Sequence, residues 1–250
     1  MTRLSENTVV IILAAGKGTR MKSDKAKVLH EINGKAMINF VVDAAKDIAG
    51  ENIVVVVGHQ KEDVKKSVLQ NATVRFAVQE EQLGTGHAVM CAMPEVLIDA
   101  DSVVILCGDV PLISSETLSG FVGDHRAVDA DLTVLAVEVE NPTGYGRLII
   151  NDKKEVLKIV EQADANDEEK KIKTINSGIY CVKRDFLEHA LSRLDNNNSQ
   201  SELYLTDIVG IGYSDNKKVG TYISKNSSEV IGVNTVNDLD QAKRLLTSIK

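Results

Sequence analysis

TVVIILAAGKGTRMKSDKAK, residues 8–27, changes character twice within a short span. Thr8–Leu13 is a continuous aliphatic and β-branched run, as expected of a strand buried on both faces of a parallel sheet. It passes into small residues and two glycines, Gly16 and Gly18. Five cations then fall within 11 residues, Lys17, Arg20, Lys22, Lys25 and Lys27, opposed only by Asp24. Glycine permits φ > 0 and lets backbone N–H groups approach an anion closely. Ligands of open α/β sheets gather at the carboxyl ends of the strands, where this loop lies. Strand, glycine turn and cation cluster together read as a cradle for a triphosphate. A glycine turn carrying solvated lysines is the plain alternative.

Outward from this segment the first half alternates strands with amphipathic stretches. Ile53–Val57 (IVVVV) and Val103–Cys107 (VVILC) are further buried runs, and Thr73–Val78 is a fourth strand. Ala36–Ala49 carries Met37, Ile38, Val41, Val42, Ala45 and Ile48 at helical spacing. Helices are also expected over Glu62–Leu69 and Gly86–Val96. The order βαβαβ implies a mostly parallel, Rossmann-like sheet with right-handed crossovers and helices on both faces. Beyond about residue 130, Asp131–Glu138, Arg147–Ile150, Val156–Val160, Ile175–Val182 and Val219–Ser224 read as strands. Arg184–Leu194, Glu202–Tyr213 and Val236–Ile249 read as helices. Ala163–Lys173 and Asp195–Ser201 are polar and read as exposed loops. There are no internal repeats and no interdomain linker. Residues 1–250 are expected to form one domain in three parts, 1–130, 131–234 and a C-terminal helix (235–250).

Composition bounds the rest. The chain has 250 residues, with 29 Lys and Arg against 36 Asp and Glu, a net charge of −7. That balance argues against a broadly basic surface for nucleic acid. The glycine-loop segment Leu13–Lys27 is net +4, so the remainder carries −11. Apolar residues at 43 % and charged residues at 26 % are those of a folded globular chain. No apolar run reaches the roughly 18 residues of a membrane span, and the N-terminus reads as a buried strand rather than a signal peptide. Cys91, Cys107 and Cys181 are odd in number, far apart and without metal-ligand spacing, which agrees with the cytoplasm and with packing roles.

Two further motifs carry chemistry. Asp109 leaves the VVILC strand in CGDVP, between Gly108 and Pro111. A carboxylate at a strand exit can hold Mg²⁺, a hard cation that takes one or two protein oxygens plus phosphate oxygens and water. An Asp opening a turn before Pro is the plain alternative. QEEQLGTGH, residues 79–87, follows the fourth strand and opens a helix. Gln79 and the Gly84 backbone could read the edge of a base, or Thr85 could simply cap the helix. The Walker A pattern GxxxxGK[ST] is absent. The dinucleotide fingerprint also fails: Met21 stands at its third glycine, and the second strand ends in Gly58-His59 without a ribose-binding acid. That disfavours a nicotinamide-dependent dehydrogenase.

In combination, LAAGKGTRM (13–21), KVLHEINGK (27–35), QLGTGHAV (82–89), GDVPLI (108–113), GYGR (144–147), IVEQ (159–162), INSGIY (175–180), YLTDI (204–208) and GVNT (232–235) resemble the sugar-1-phosphate nucleotidyltransferases. Within that family the pattern is most similar to the uridylyltransferase domain of the bacterial bifunctional N-acetylglucosamine-1-phosphate enzymes, over nearly the whole chain. The resemblance implies transfer of UMP from UTP to N-acetylglucosamine 1-phosphate with Mg²⁺. It implies that Leu13, Ala14, Ala15, Gly16, Gly18 and Gly108 hold the nucleotide and that Gln79, Gly84 and Thr85 contact uracil and ribose. Arg20 and Lys27 would bind the phosphates and act catalytically, and Asp109 and Asn234 would hold the metal. Gly146, Glu161, Asn176, Tyr204, Thr206 and Asn234 would line the sugar site. Another sugar 1-phosphate or nucleotide, such as glucose 1-phosphate or dTTP, is the alternative within the enzyme class. A non-catalytic nucleotide-sugar binder is the alternative outside it.

Three positions depart from the family pattern: Ala26 and Ala36 stand where proline is usual, and Cys107 where an aromatic residue usually precedes GD. No hexapeptide repeats occur, so acetyl-transfer chemistry on a β-helix is not expected from residues 1–250. In the family, trimer formation goes with that β-helix, so a monomer or weak homo-oligomer is expected.

Overall fold

Strand, helix, strand is the order through the first 130 residues. The structure is a computed structural model and describes residues 7–248. β1 (Thr8–Ala14) enters the glycine loop, and a short hairpin, β2 (Glu31–Ile32) and β3 (Lys35–Ala36), leads to α1 (Met37–Ala49). β4 (Ile53–Val57), α2 (Lys61–Leu69), β5 (Arg75–Val78), α3 (Thr85–Ala92), β6 (Ser102–Cys107) and α4 (Ser115–Ala127) follow. The second half comprises β7 (Leu132–Glu138), β8 (Arg147–Ile150), β9 (Val156–Val160), β10 (Thr174–Lys183), α5 (Arg184–Leu191) and α6 (Asp207–Ser214). It closes with β11 (Val219–Ile223), the single turn α7 (Ser227–Val230) and α8 (Val236–Ser248).

Nine of the described strands form one sheet in the order β11-β7-β10-β6-β1-β4-β5, with the β8–β9 hairpin joined through β10, and β2 and β3 pair with each other in a separate ribbon. β6, β1, β4 and β5 run parallel. β10 runs antiparallel between β6 and β7, and β11 returns parallel to β7. β1 is therefore central, and its glycine loop leaves the carboxyl edge of the parallel half beside the exit of β6. α1, α2 and α4 cover one face, where Ile38, Val41 and Phe121 pack with Val10 and Ile12. α3, α5 and α6 cover the other, where Val89, Leu187 and Ile208 share a core with Val9 and Ile11. Burial on both faces is why β1 reads as an unbroken apolar run. Among the described residues no helix is long and apolar enough to cross a membrane.

The elements differ from the sequence expectation in identifiable places. α3 stops at Ala92 and passes into a 3₁₀ turn, Met93–Glu95, because Pro94 cannot continue an α-helical ladder. α4 was not anticipated: Gly120 and Gly123 interrupt its apolar spacing, and its start is marked only by Ser114, whose Oγ accepts the Thr117 N–H at 3.1 Å. The helix expected from Glu202 begins at Asp207. Residues 202–204 instead carry no regular structure and 205–206 form a turn, since the Leu203 N–H bonds to the Leu83 carbonyl and the Leu203 carbonyl accepts from Gly86, both at 2.8 Å. α5 ends at Leu191, three residues before the expected Leu194. The expected last helical residue, Ile249, lies outside the described residues.

His125 of α4 is 2 % exposed and its Nδ1 lies 2.8 Å from Thr133 Oγ1 of β7. Burial, reinforced by Lys183 and Arg126, pushes its pKa down to about 4. The unfolded chain therefore binds a proton between about pH 6.5 and 4 that the folded chain refuses. Stability from this group is complete above pH 6.5 and is lost as pH falls toward 4, by about 3 kcal/mol. Asp207, pushed up to about 6 mainly by burial, works in the opposite direction over pH 3.8 to 6. The His125 contribution is therefore read as a difference. In chemical denaturation at pH 7 and pH 4.5, His125→Phe is expected to lose less stability on acidification than the wild type. Equal losses would contradict the assignment.

Candidate active site

The site grows from the carboxyl ends of β1, β5 and β6. A cleft of about 420 Å³ opens there. Of the sequence-predicted residues, Leu13, Ala14, Ala15, Gly16, Gly18, Lys27, Gln79, Gly84, Thr85 and Asp109 line it. Gly108 does not. It is buried behind the wall, where a Cβ would lie 2.8 Å from Ile38 Cδ1, and its N–H donates to the Leu13 carbonyl at 2.9 Å. Two glycines are fixed by geometry. Gly18 has φ 63°, and a Cβ there would overlap Lys27 Cβ. Gly84 has φ 110°, and a Cβ would lie 2.6 Å from the Leu203 carbonyl oxygen. A larger cavity, about 660 Å³, lies at the opposite end of the sheet beside Ser102 and Lys183. None of the predicted site residues lines it, and Lys183 there is already paired with Asp129 and Asp131 at 2.8 and 3.3 Å.

The loop cations divide into distinct sets. Lys17 lines the cleft, and Lys25 pairs with Glu31 at 3.0 Å on the surface. Arg20 and Lys27 converge on Asn234: Arg20 Nη2 donates to its Oδ1 at 2.9 Å and Lys27 Nζ to the same oxygen at 3.2 Å. Lys27 Nζ also forms an ion pair with Asp109 Oδ2, both side chains 17 % exposed. The fold thus brings four predicted residues from three distant segments to one point.

Asn234 reaches that point through two constraints. The Val233 N–H donates to the Asp109 carbonyl at 2.8 Å. Asp238 Oδ2 accepts the N–H groups of Asn234 and Thr235 at 2.9 and 2.8 Å, while the Asp238 N–H donates to Thr235 Oγ1 at 3.2 Å. This is a reciprocal capping box at the start of α8, with an Asp in the Glu position. The Thr-x-x-Asp signal for this cap is present in the sequence at residues 235–238.

Gln79 is 4 % exposed. Its Nε2 donates to the Gly84 carbonyl at 3.0 Å and lies 3.2 Å from His87 Nδ1. Its Oε1 makes no hydrogen bond among the described residues. Thr85 is not the cap of α3, which is Gly84. Its hydroxyl instead accepts the Leu205 N–H at 3.1 Å. That bond, with the Leu83–Leu203 pairing, ties the YLT segment to the GTGH turn. Gln82 and Glu202 also line the cleft and were missed, since a polar residue in a loop carries no periodic signal.

The second group lies around Glu161. Thr206 Oγ1 donates to Glu161 Oε1 at 3.2 Å, and a Cβ on Gly146 would lie 3.4 Å from Glu161 Oε2. The Gly146 carbonyl accepts the Asn176 N–H at 2.9 Å, and Asn176 Nδ2 donates to the Tyr180 hydroxyl at 2.7 Å. Burial pushes the Glu161 carboxyl above the usual range, with Thr206 and Arg147 opposing and Asp207 and Asp164 reinforcing it. Tyr204 faces elsewhere: its hydroxyl bonds to Asp164 Oδ2 at 3.2 Å and Gln200 Oε1 at 3.0 Å, bracing the 163–201 loops. Cys107 joins the two groups, lining the cleft while its Sγ donates to the Gly178 carbonyl at 3.4 Å in the β10 bulge. Burial pushes the Cys107 and Cys181 thiols up to about 12, so both are inert packing groups at neutral pH.

A family model described as the MobA-like NTP transferase domain matches residues 10–175. The chain is 45 % identical over 233 residues to the bifunctional protein GlmU of Desulfotalea psychrophila, covering 93 % of this chain and 68 % of that protein. It is 47 % identical over 240 residues to the bifunctional protein GlmU of Geotalea uraniireducens and to that of Clostridioides difficile, covering 96 % of this chain and 52 % of each relative. The chain therefore spans between about half and two thirds of these relatives' lengths. A Bacillus anthracis structure, named provisionally as a glucose-1-phosphate thymidylyltransferase in complex with a sucrose, superposes with a TM-score of 0.73. That match covers 97 % of this chain and 96 % of that one. At 20 % identity that likeness is one of fold.

Proposed function

The chain belongs to the MobA-like NTP transferase family, and from that premise we propose that it transfers UMP from UTP to N-acetyl-α-D-glucosamine 1-phosphate and releases pyrophosphate. The observation that carries this reading is the convergence of Arg20, Lys27, Asp109 and Asn234 at the mouth of the glycine-lined cleft. A site built for a neutral or singly charged ligand would have no use for two cations and two oxygen donors on one point.

Asp109 Oδ2 and Asn234 Oδ1 both accept from the Lys27 ammonium, so two hard oxygens already face one cationic centre. That pattern fits Mg²⁺, which takes few protein oxygens and completes its shell with phosphates and water. Asp109 and Asn234 would hold it, and when bound it would supply positive charge that offsets the repulsion of the reacting phosphates.

The chain's own residues supply the rest. A phosphate oxygen of the sugar phosphate attacks the α-phosphorus in line, the new P–O bond forms, and the bond to the β-phosphate oxygen breaks. The nucleophile is already an anion, so no general base is needed and catalysis rests on positioning and charge. Lys27 neutralises charge on the α-phosphoryl oxygens, and Arg20 does so on the departing pyrophosphate. Gln79 Oε1, which has no hydrogen-bond partner among the described residues, accepts the uracil N3–H, while Gly84 and Thr85 line the base and ribose. The Glu161 carboxylate accepts from sugar hydroxyls, with Gly146 leaving room beside it and Asn176 and Thr206 framing the pocket, while Tyr204 braces the loops behind it. Pyrophosphate release is expected only with UTP, N-acetylglucosamine 1-phosphate and Mg²⁺ together, and chelation should stop it. Binding of the nucleotide sugar without turnover would instead identify a non-catalytic binder.

A further inference from the structure

Gln60 lies outside the cleft yet contacts the backbone that carries Lys27. It precedes α2 with φ 52° and ψ 41°, and its carbonyl accepts the N–H groups of Asp63 and Val64, each at 3.1 Å. Its backbone is thereby fixed to the helix. Its side chain crosses to the glycine loop, where Oε1 accepts the Ala26 N–H at 2.7 Å and Nε2 donates to the Asp24 carbonyl at 2.6 Å. Ala26 is 1 % exposed, so water does not replace that acceptor. The Ala26 carbonyl in turn accepts from Leu29 at 2.9 Å and opens the 3₁₀ turn that begins with Lys27. From the other side Lys27 Cβ is packed against Gly18.

We propose that Gln60 is a positioning residue: by clamping residues 24–26 it sets the direction of Lys27 toward Asp109 and Asn234. The inference rests on the proposed role of Lys27 in phosphoryl transfer. It has a distinctive consequence. Ala26 has φ −52° and ψ 135°, within reach of proline, which fixes φ near −65° and carries no N–H. A proline there would hold the loop without an acceptor. Its ring would also occupy the space of Gln60 Oε1, which lies 2.7 Å from that nitrogen. The glutamine clamp and a proline are alternative, mutually exclusive ways of fixing the same backbone.

The test compares the full chain with Gln60→Ala, Ala26→Pro and the double variant. Its readouts are steady-state pyrophosphate release and hydrogen exchange of peptides spanning residues 17–30. Gln60→Ala is expected to lower kcat about tenfold with KM for UTP changed less than about threefold, because a displaced catalytic group costs rate rather than binding. Exchange over the loop should quicken. Ala26→Pro alone should also be impaired, and the double variant should recover to within about threefold of wild type in kcat and in exchange, a departure from additivity. Gln60→Glu keeps the acceptor for Ala26 and should stay well above Gln60→Ala, whether or not Ala26→Pro folds. A double variant as slow as the product of its singles, a Gln60→Ala indistinguishable from wild type, or a Gln60→Glu no better than Gln60→Ala overturns the proposal. A wild type that does not turn over overturns the functional reading instead, and the exchange data alone then decide the role of Gln60.

Discussion

Lys27→Ala is expected to lower turnover by about 10²–10³-fold while the protein stays folded, the usual cost of removing one preorganised group that meets charge developing in the transition state. Lys27 is suited to that role by its surroundings. Its ammonium sits at 17 % side-chain exposure between Asp109 and Asn234, in a setting where charge interactions are stronger than in water. Its stem is wedged against Gly18 and its backbone is clamped through Ala26. Truncation removes the charge and leaves those backbone contacts in place, so circular dichroism and the melting temperature should change little. The loss should appear mainly in kcat, since Arg20, Lys17 and the backbone N–H groups of the glycine loop remain to bind the triphosphate. Near-native turnover in Lys27→Ala would show that the ammonium serves only to pair with Asp109.

Asp109→Asn is the second large effect. The substitution keeps the shape of the side chain and removes its charge. Turnover is expected to fall on the order of 10²–10³-fold. The Mg²⁺ concentration for half-maximal rate should rise by at least about tenfold, because a neutral amide is a poorer ligand for a hard cation. The variant also leaves the Lys27 ammonium without its carboxylate, so the two predictions are coupled. Combining Lys27→Ala with Asp109→Asn should cost less than the product of the single losses, as expected for residues acting as one unit. Strict multiplicativity, or an unchanged Mg²⁺ requirement in Asp109→Asn, would separate the two groups and contradict a shared centre.

Much of this was legible in the sequence where a strong physical constraint acts on a short stretch. β1 must be apolar on both faces, so TVVIIL could be read as a central parallel strand, and the glycines and cations after it marked the cleft. Asp109 was legible because strand exits are where open α/β sheets place ligands. The residues that failed to announce themselves depend on contacts between distant segments. α4 carries two glycines in an otherwise helical span. Residues 202–206 have helical composition, yet backbone pairing of Leu203 to the Leu83–Gly86 turn delays the helix to Asp207. Gln60 looks like any polar residue before a helix, and only the fold shows that it reaches Asp24 and Ala26. The three departures from the family pattern also gain physical accounts. Ala26 spends its N–H on Gln60, Ala36 keeps a proline-like φ of −60° at the start of α1, and Cys107 packs on Gly178.

The net charge of −7 illustrates the same point, since it conceals a cationic loop at the one place where a triphosphate would sit. In the proposed reading that loop and Gln79 hold the nucleotide and the Glu161 pocket holds the sugar. The most direct measurement of the central claim is therefore kcat/KM for pyrophosphate release across a substrate panel with Mg²⁺ present. UTP with N-acetylglucosamine 1-phosphate is expected to exceed UTP with glucose 1-phosphate, and dTTP with N-acetylglucosamine 1-phosphate, by at least about tenfold. That margin corresponds to the roughly 1–3 kcal/mol that pocket contacts of this kind discriminate. An equal or higher value for glucose 1-phosphate or dTTP would contradict the assignment.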